Sequence, residues 1–156
     1  MSILCLDIAT ATGWAIWSDD GVVSGVVNCA KQEGENEARR LLLLWHFLKA
    51  TNQEFAIDHV FYEKGVSFQG YGNANGVMHR LFGVFELWSE LNDIPIESVN
   101  PTTLKKFATG SGRAKKDVMM DEATRRWPSV NVFDHNQADA LLILSWAMDQ
   151  YGYQPS

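Results

Sequence analysis

The stretch "MSILCLDIATATGWAIWSDDGVVSGVVNCA", Met1 to Ala30, decides the fold, because it carries three strand signals and the turns that join them. Met1 to Asp7 is a short apolar run that ends on an acid. "GWAIWS" alternates around Trp14 and Trp17, and "DDG", Asp19 to Gly21, supplies turn chemistry before the β-branched "VVSGVVNCA". The expectation is three antiparallel strands joined by hairpins.

After this start the periodicity changes. Glu37, Ala38, Leu41, Leu42, Trp45 and Leu48 recur at helical spacing and predict an amphipathic helix ending near Ala50. "AIDHVFYEKG" reads as a buried strand. A second long helix, Ala74 to Asn92, carries Val77, Met78, Leu81, Phe82, Phe85, Trp88 and Leu91 along its stripe, and "IPIESVN" reads as a fifth strand. Pro101 opens a short helical turn, "SGRAKKDVMMDEATRRW" predicts a helix with a basic start that Pro128 breaks, and "FDHNQADALLIL" predicts a closing helix. Helices between strands are crossovers, and they force the later strands to run parallel to the first. The fold class expected is α/β, a five-stranded mixed sheet with three antiparallel and two parallel strands, flanked by helices. With no repeat, low-complexity tract or linker, residues 1–156 read as one domain.

Composition narrows the function. A hydrophobic content of 46% supports a real core. No apolar run approaches the roughly 20 residues that span a bilayer, and the start lacks the basic residues of a secretory signal, so the chain reads as cytoplasmic with no membrane partner. Cys5 and Cys29 lie in apolar strand segments without metal-ligand spacing and read as packed thiols. The formal charge of -6 argues against a broadly basic nucleic-acid surface. The charge is uneven, however. Lys105, Lys106, Arg113, Lys115, Lys116, Arg125 and Arg126 stand against only Asp117, Asp121 and Glu122, which makes one locally positive segment suited either to solvent or to phosphates.

Three acids stand where a site would form. Asp7 ends the first strand, Glu63 ends the fourth, and open α/β sheets place their sites at strand ends. Asp139 sits one residue inside the edge of an apolar helical run, where an unpartnered carboxylate would stay protonated or cost several kcal/mol. Singly, each has an ordinary explanation: a turn acid, a surface partner of Lys64, a helix-start dipole acid. Together they make a set of oxygen ligands without a histidine-cysteine cluster, which favours Mg²⁺ or Mn²⁺ over zinc. Two such ions would suit phosphodiester hydrolysis.

The blocks "CLDIATATGWAIW", "VFYEKGVSFQG", "VNPTTLKKFATGSGRAKKDV" and "NQADALLIL", in this order, resemble the RuvC family of Holliday junction resolvases, of the small kind found in bacteriophages, within the ribonuclease H-like superfamily. The resemblance implies a homodimeric, Mg²⁺-dependent endonuclease that nicks four-way DNA and leaves 5′-phosphate and 3′-hydroxyl ends, with no nucleotide cofactor. It implies that Asp7, Glu63 and Asp139 hold the metals. It also implies that Lys105 and Lys116, around the turn Gly110-Ser111-Gly112, contact phosphates, Lys116 in a catalytic role. Lys106, Arg113 and Lys115 extend the expected DNA face. Phe68 falls near the family's base-wedging aromatic, with Tyr71 close by. The family usually has Asp or His three residues before the last Asp; here it is Asn136, expected beside the metals, with His135 as the competing candidate. Asp134 is expected to cap the last helix. Two other readings are an ATP-binding module of the actin and hexokinase type, which "DIATATG" also resembles, and an inactive branched-DNA-binding protein.

Overall fold

The computed structural model describes residues 1–65 and 73–153, with only the backbone at 73–75. Phe68 and Tyr71 therefore lie outside the described residues. The chain runs β1 (Ile3–Asp7), β2 (Ala11–Ser18), β3 (Gly21–Asn28), α1 (Ala38–Phe55), β4 (His59–Glu63), α2 (Asn73–Leu91), β5 (Ile96–Val99), α3 (Pro101–Thr109), α4 (Lys116–Arg126) and α5 (His135–Tyr151). The sheet order is β3-β2-β1-β4-β5. β1 to β3 pair antiparallel through their hairpins, and β4 and β5 join parallel to β1, as the crossover helices require.

Alternation along the strands sorts the core into two layers. Ile3 and Cys5 of β1 share a face with Ala15, Trp17 and Phe61, and α5 covers that face with α3 and α4 behind it. Leu4 and Leu6 point the other way with Ile16 and Val60, against α1 and α2. Since α5 is sandwiched between the sheet and α4, it is apolar on nearly every side, and Leu141, Leu142, Ile143 and Leu144 are fully buried. Each contributes roughly 1.5–3 kcal/mol of burial. Both cysteines are buried and free.

Several boundaries and faces differ from the sequence reading. α1 continues past Ala50 to Phe55, because Leu44, Leu48 and Thr51 form its buried stripe and Asn52 then closes the end, accepting from the Ile57 N–H at 2.9 Å. α3 is a full nine-residue helix. α4 begins only at Lys116, since residues 111–115 form a turn in which the Ser111 hydroxyl accepts from the Arg113 N–H. On α2, Phe82, Phe85 and Trp88 pack inside the core, whereas Leu87 and Leu91 stay at the surface. Arg125 and Arg126 both pair with Glu122, and Arg126 lies over the Phe107 ring, so this end of the basic segment ties α4 to α3. Among the described residues no helix is long and apolar enough to cross a membrane.

Candidate functional site at the strand ends

Leu6 is paired with Tyr62 in the parallel β1–β4 ladder, so the next residues, Asp7 and Glu63, end adjacent strands side by side. By alternation both point to the α5 face, the side of Cys5 and Phe61. The antiparallel partner of Asp7 is Gly13. A Cβ built there would lie 1.9 Å from the backbone oxygen of Asn136. Only glycine lets the first turn of α5 rest on the strand at this point, which sets Asp139 over the strand ends. The same turn is fixed from two other sides. The Asn136 side-chain N–H donates to the Ala11 carbonyl at 2.7 Å, and buried Gln137 donates to Ser24 Oγ and the Asn131 carbonyl, both at 3.0 Å. Asp134 caps the helix as expected, its carboxylate accepting from the N–H groups of Asn136 and Gln137.

The three acids act on one another. Burial raises Asp7 well above the usual carboxylate range, and the charges of Glu63, Asp139 and Asp134 raise it further against Lys116. Glu63 is pushed up to about 7 by burial and by Asp139, with Lys105 opposing. Asp139 is pushed up to about 6 by burial; Lys105, His135 and Lys116 pull it down, and Asp134 pushes it up. Among the described residues no three Asp, Glu, His or Cys side chains gather closely enough to form a finished cage for a cation. The carboxylates thus lie near enough to act on one another's charge without gathering into a cage. Their donor chemistry, all oxygen with cationic neighbours, fits a hard divalent ion.

The sequence-predicted cations separate into groups. Lys105, half-buried on α3, and Lys116, exposed at the first position of α4, both act on the acids. The left-handed Gly110 (φ 84°) ends α3 and turns the chain back toward α4, so that both lysines can flank one recess. Arg113 and Lys115 are exposed beside Lys116. Lys106 instead points along the α3–α5 groove, with Phe107 and Trp146. Asn136, expected beside the acids, is tied to β2 instead, its side-chain N–H donating to the Ala11 carbonyl. Asp134 and His135 bear on the site electrically: the cap residue, about 1.4 turns before Asp139, keeps its charge within reach. The β1–β2 turn that resembles a phosphate loop closes on itself, the Thr12 hydroxyl donating to the Ala9 carbonyl at 2.6 Å.

These shifts set a pH dependence. Glu63 and Asp139 have folded values raised above 4.5 and 3.8, so the stability they contribute is complete below about pH 4 and is lost as pH rises through 6 to 7. In EDTA, thermal melting should show a loss on the order of 3 kcal/mol between pH 4.5 and 8. Glu122, held near 2 chiefly by its hydrogen bond from Arg125, titrates below this window. His59, lowered by burial, works in the opposite direction. Glu63→Gln isolates the acids by flattening the curve; equal slopes for variant and wild type would refute their coupling.

No sequence-family profile matches the chain, and no curated protein does. Solved structures do match. The chain is similar to RuvC of Thermus thermophilus, with a TM-score of 0.76 at 16% identity over 97% of each chain. It is similar to the same organism's RuvC in complex with a Holliday junction substrate, with a TM-score of 0.77 at 16% identity over 92% of this chain and 90% of the other. It is also similar to the yeast mitochondrial Holliday junction resolvase, with a TM-score of 0.62 at 16% identity over 97% of this chain and 80% of the other. The chain has the ribonuclease H-like fold of the RuvC resolvases.

Proposed function

We propose that this protein is a metal-dependent endonuclease of the RuvC type that cuts Holliday junctions or other branched DNA in the cytoplasm. The observation that carries the reading is the electrostatic coupling of the buried Asp7, Glu63 and Asp139 near the strand ends, with Lys105 and Lys116 acting on their charges. Asp7, Glu63 and Asp139 would hold two Mg²⁺ or Mn²⁺ ions, with Asn136 as a neutral fourth donor. When bound, the ions would supply activation of a water and stabilisation of the leaving oxygen. The chain's own part is to keep three carboxylates in a poorly solvated recess where a cation is their best partner, and to orient the scissile phosphate. Water adds to phosphorus, the bond to the 3′-oxygen breaks, and a 5′-phosphate and a 3′-hydroxyl result. Lys116, exposed at the start of α4, would face the added negative charge on the phosphate. Incubation with a synthetic four-way junction, with Mg²⁺ and with EDTA, tests the reading: paired nicks in Mg²⁺ alone are expected. Junction binding without cleavage in Mg²⁺ or Mn²⁺ would leave a binding protein in place of an enzyme.

Lys105→Ala and Lys116→Ala should each weaken junction binding and lower the slope of log affinity against log salt by about 0.9. Unchanged slopes for both variants would return these lysines to a solvated face.

Symmetric nicking calls for a two-fold dimer. The surface suited to it is the α1–α2 groove, where Leu42 is 41% exposed, Leu87 56% and Leu91 63% beside Trp45. Light scattering at micromolar concentration should give twice the chain mass, and Leu87→Glu should give a folded monomer. A wild-type monomer with and without junction would sink the dimer.

A further inference from the structure

Two stripes of side chains run together away from the acids. On α5, Trp146 and Gln150 follow Asp139 by seven and eleven residues, close to two and three whole turns, so all three share a face. On α3, Thr102 and Thr103 stand one turn before Lys106 and Phe107. These six apart from Asp139 wall a recess of about 410 Å³ between the helices. Its chemistry is mixed: two hydroxyls, an amide, a cation and two aromatic rings. Lys106 is exposed and pairs with no acid among the described residues. The Phe107 ring is held from its other neighbour by the Arg126 guanidinium, 4.6 Å from the ring centre, and Trp146 is braced edge-on against Phe61 at 6.2 Å. The groove between α1 and α2 is walled mainly by Leu41, Leu42, Val84, Leu87 and Trp45, with Glu35, Asn36 and Arg39 also in its lining; the surface it presents is nearly all apolar and suits a different partner.

We propose that the α3–α5 recess is the track on which one DNA strand leaves the acids, and that it takes an unpaired nucleotide there. The proposal rests on the nuclease reading and extends it. Continuity supports it first, since Lys105 borders Glu63 and Asp139 and the next residue, Lys106, enters the recess. Charge complementarity comes second: Lys106 meets a phosphate. The rings of Phe107 and Trp146 offer stacking surface, and Thr103 and Gln150 offer hydrogen bonds to sugar or base. Seven helical residues from Asp139 to Trp146 cover about 10 Å. At about 3.4 Å per nucleotide along one strand, the base reaching Trp146 lies about three nucleotides from the cut.

The test uses the full chain and a four-way junction in Ca²⁺, with fluorescence anisotropy for affinity. Thr103→Asp is the key variant, because an acid in the first turn of α3 favours the helix while it repels a phosphate. Thr103→Asp and Lys106→Glu should each weaken binding about tenfold, with unchanged melting temperatures. A junction carrying 5-iododeoxyuridine at successive positions should cross-link to Trp146 when the label is two to four nucleotides from the cut. Wild-type binding with affinities for both variants within twofold of it, or cross-links confined to other residues, overturns the track and leaves the nuclease reading standing. Failure of the wild-type chain to bind any junction overturns both.

Discussion

Asp7→Asn is expected to lower junction cleavage by a factor on the order of 10³ or more, or roughly 4 kcal/mol of barrier, while binding stays equal or tightens. Asp7 is flanked in space by Glu63, Asp139 and Asp134, and all three raise its pKa beyond what burial does. It is the acid that the other charges converge on, so its loss removes the shared ligand of the proposed ions. It also removes one negative charge from the surface that would face DNA. The change has a second, independent readout. An acid held above its ordinary pKa costs the fold stability when it ionises, so the neutral variant should melt higher than wild type at pH 8 in EDTA. Each kcal/mol relieved is worth about 2–4 °C for a domain of this size. A variant that still cleaves would end the carboxylate-metal reading. One that loses cleavage and also melts lower would show that Asp7 serves the fold.

Gly13→Ala should be as damaging from a position with no functional group at all. The added methyl would lie 1.9 Å from the Asn136 oxygen, 2.1 Å from its carbonyl carbon and 2.7 Å from the Gln137 nitrogen. All three are backbone atoms, so no side chain can rotate out of the way. Relief requires α5 to retreat by about 1 Å or more, which breaks the Asn136–Ala11 bond and carries Asp139 away from Asp7. Overpacking of this kind costs about 1–3 kcal/mol, and a displacement of about 1 Å at a reacting centre costs about 10²-fold in rate. Gly83→Ala is the control, an exposed position inside α2 where the methyl meets nothing. There alanine should stabilise by roughly 0.5–1 kcal/mol. If Gly13→Ala melts and cleaves like wild type, the seating of α5 on β2 does not place the acid.

The strands, their order and the three acids were legible because each rests on local signals: turn residues at Asp19 to Gly21, alternation in β2, and acids that terminate apolar runs. What could not be read depends on contacts between distant segments. The reason for Gly13 lies in a carbonyl on α5, far along the chain. A glycine inside an alternating run was the available hint of close backbone approach. The aromatic stripe of α2 could not say how much of its arc the sheet and α1 would cover; they cover Phe82, Phe85 and Trp88 and leave Leu87 and Leu91 outside. Lys105 and Lys106 are chain neighbours, yet a rotation of about 100° sends one to the acids and the other into the α3–α5 groove. The capture of Arg125 and Arg126 by Glu122 was available from their three- and four-residue spacing alone.

Because α5 follows every strand in the chain, Asp7 and Glu63 emerge from the ribosome well before the helix that supplies Asp139 and Asp134. At about 5–20 residues per second the interval is roughly 4 to 15 s. Through it the sheet has one uncovered apolar face, with Ile3, Cys5, Trp17 and Phe61 awaiting their cover. A nascent chain at that stage holds two of its clustered acids without the third. On the proposed reading, cleavage competence would therefore wait for α5 to dock, and a molecule that stalls before it would be an aggregation hazard but not a stray nuclease.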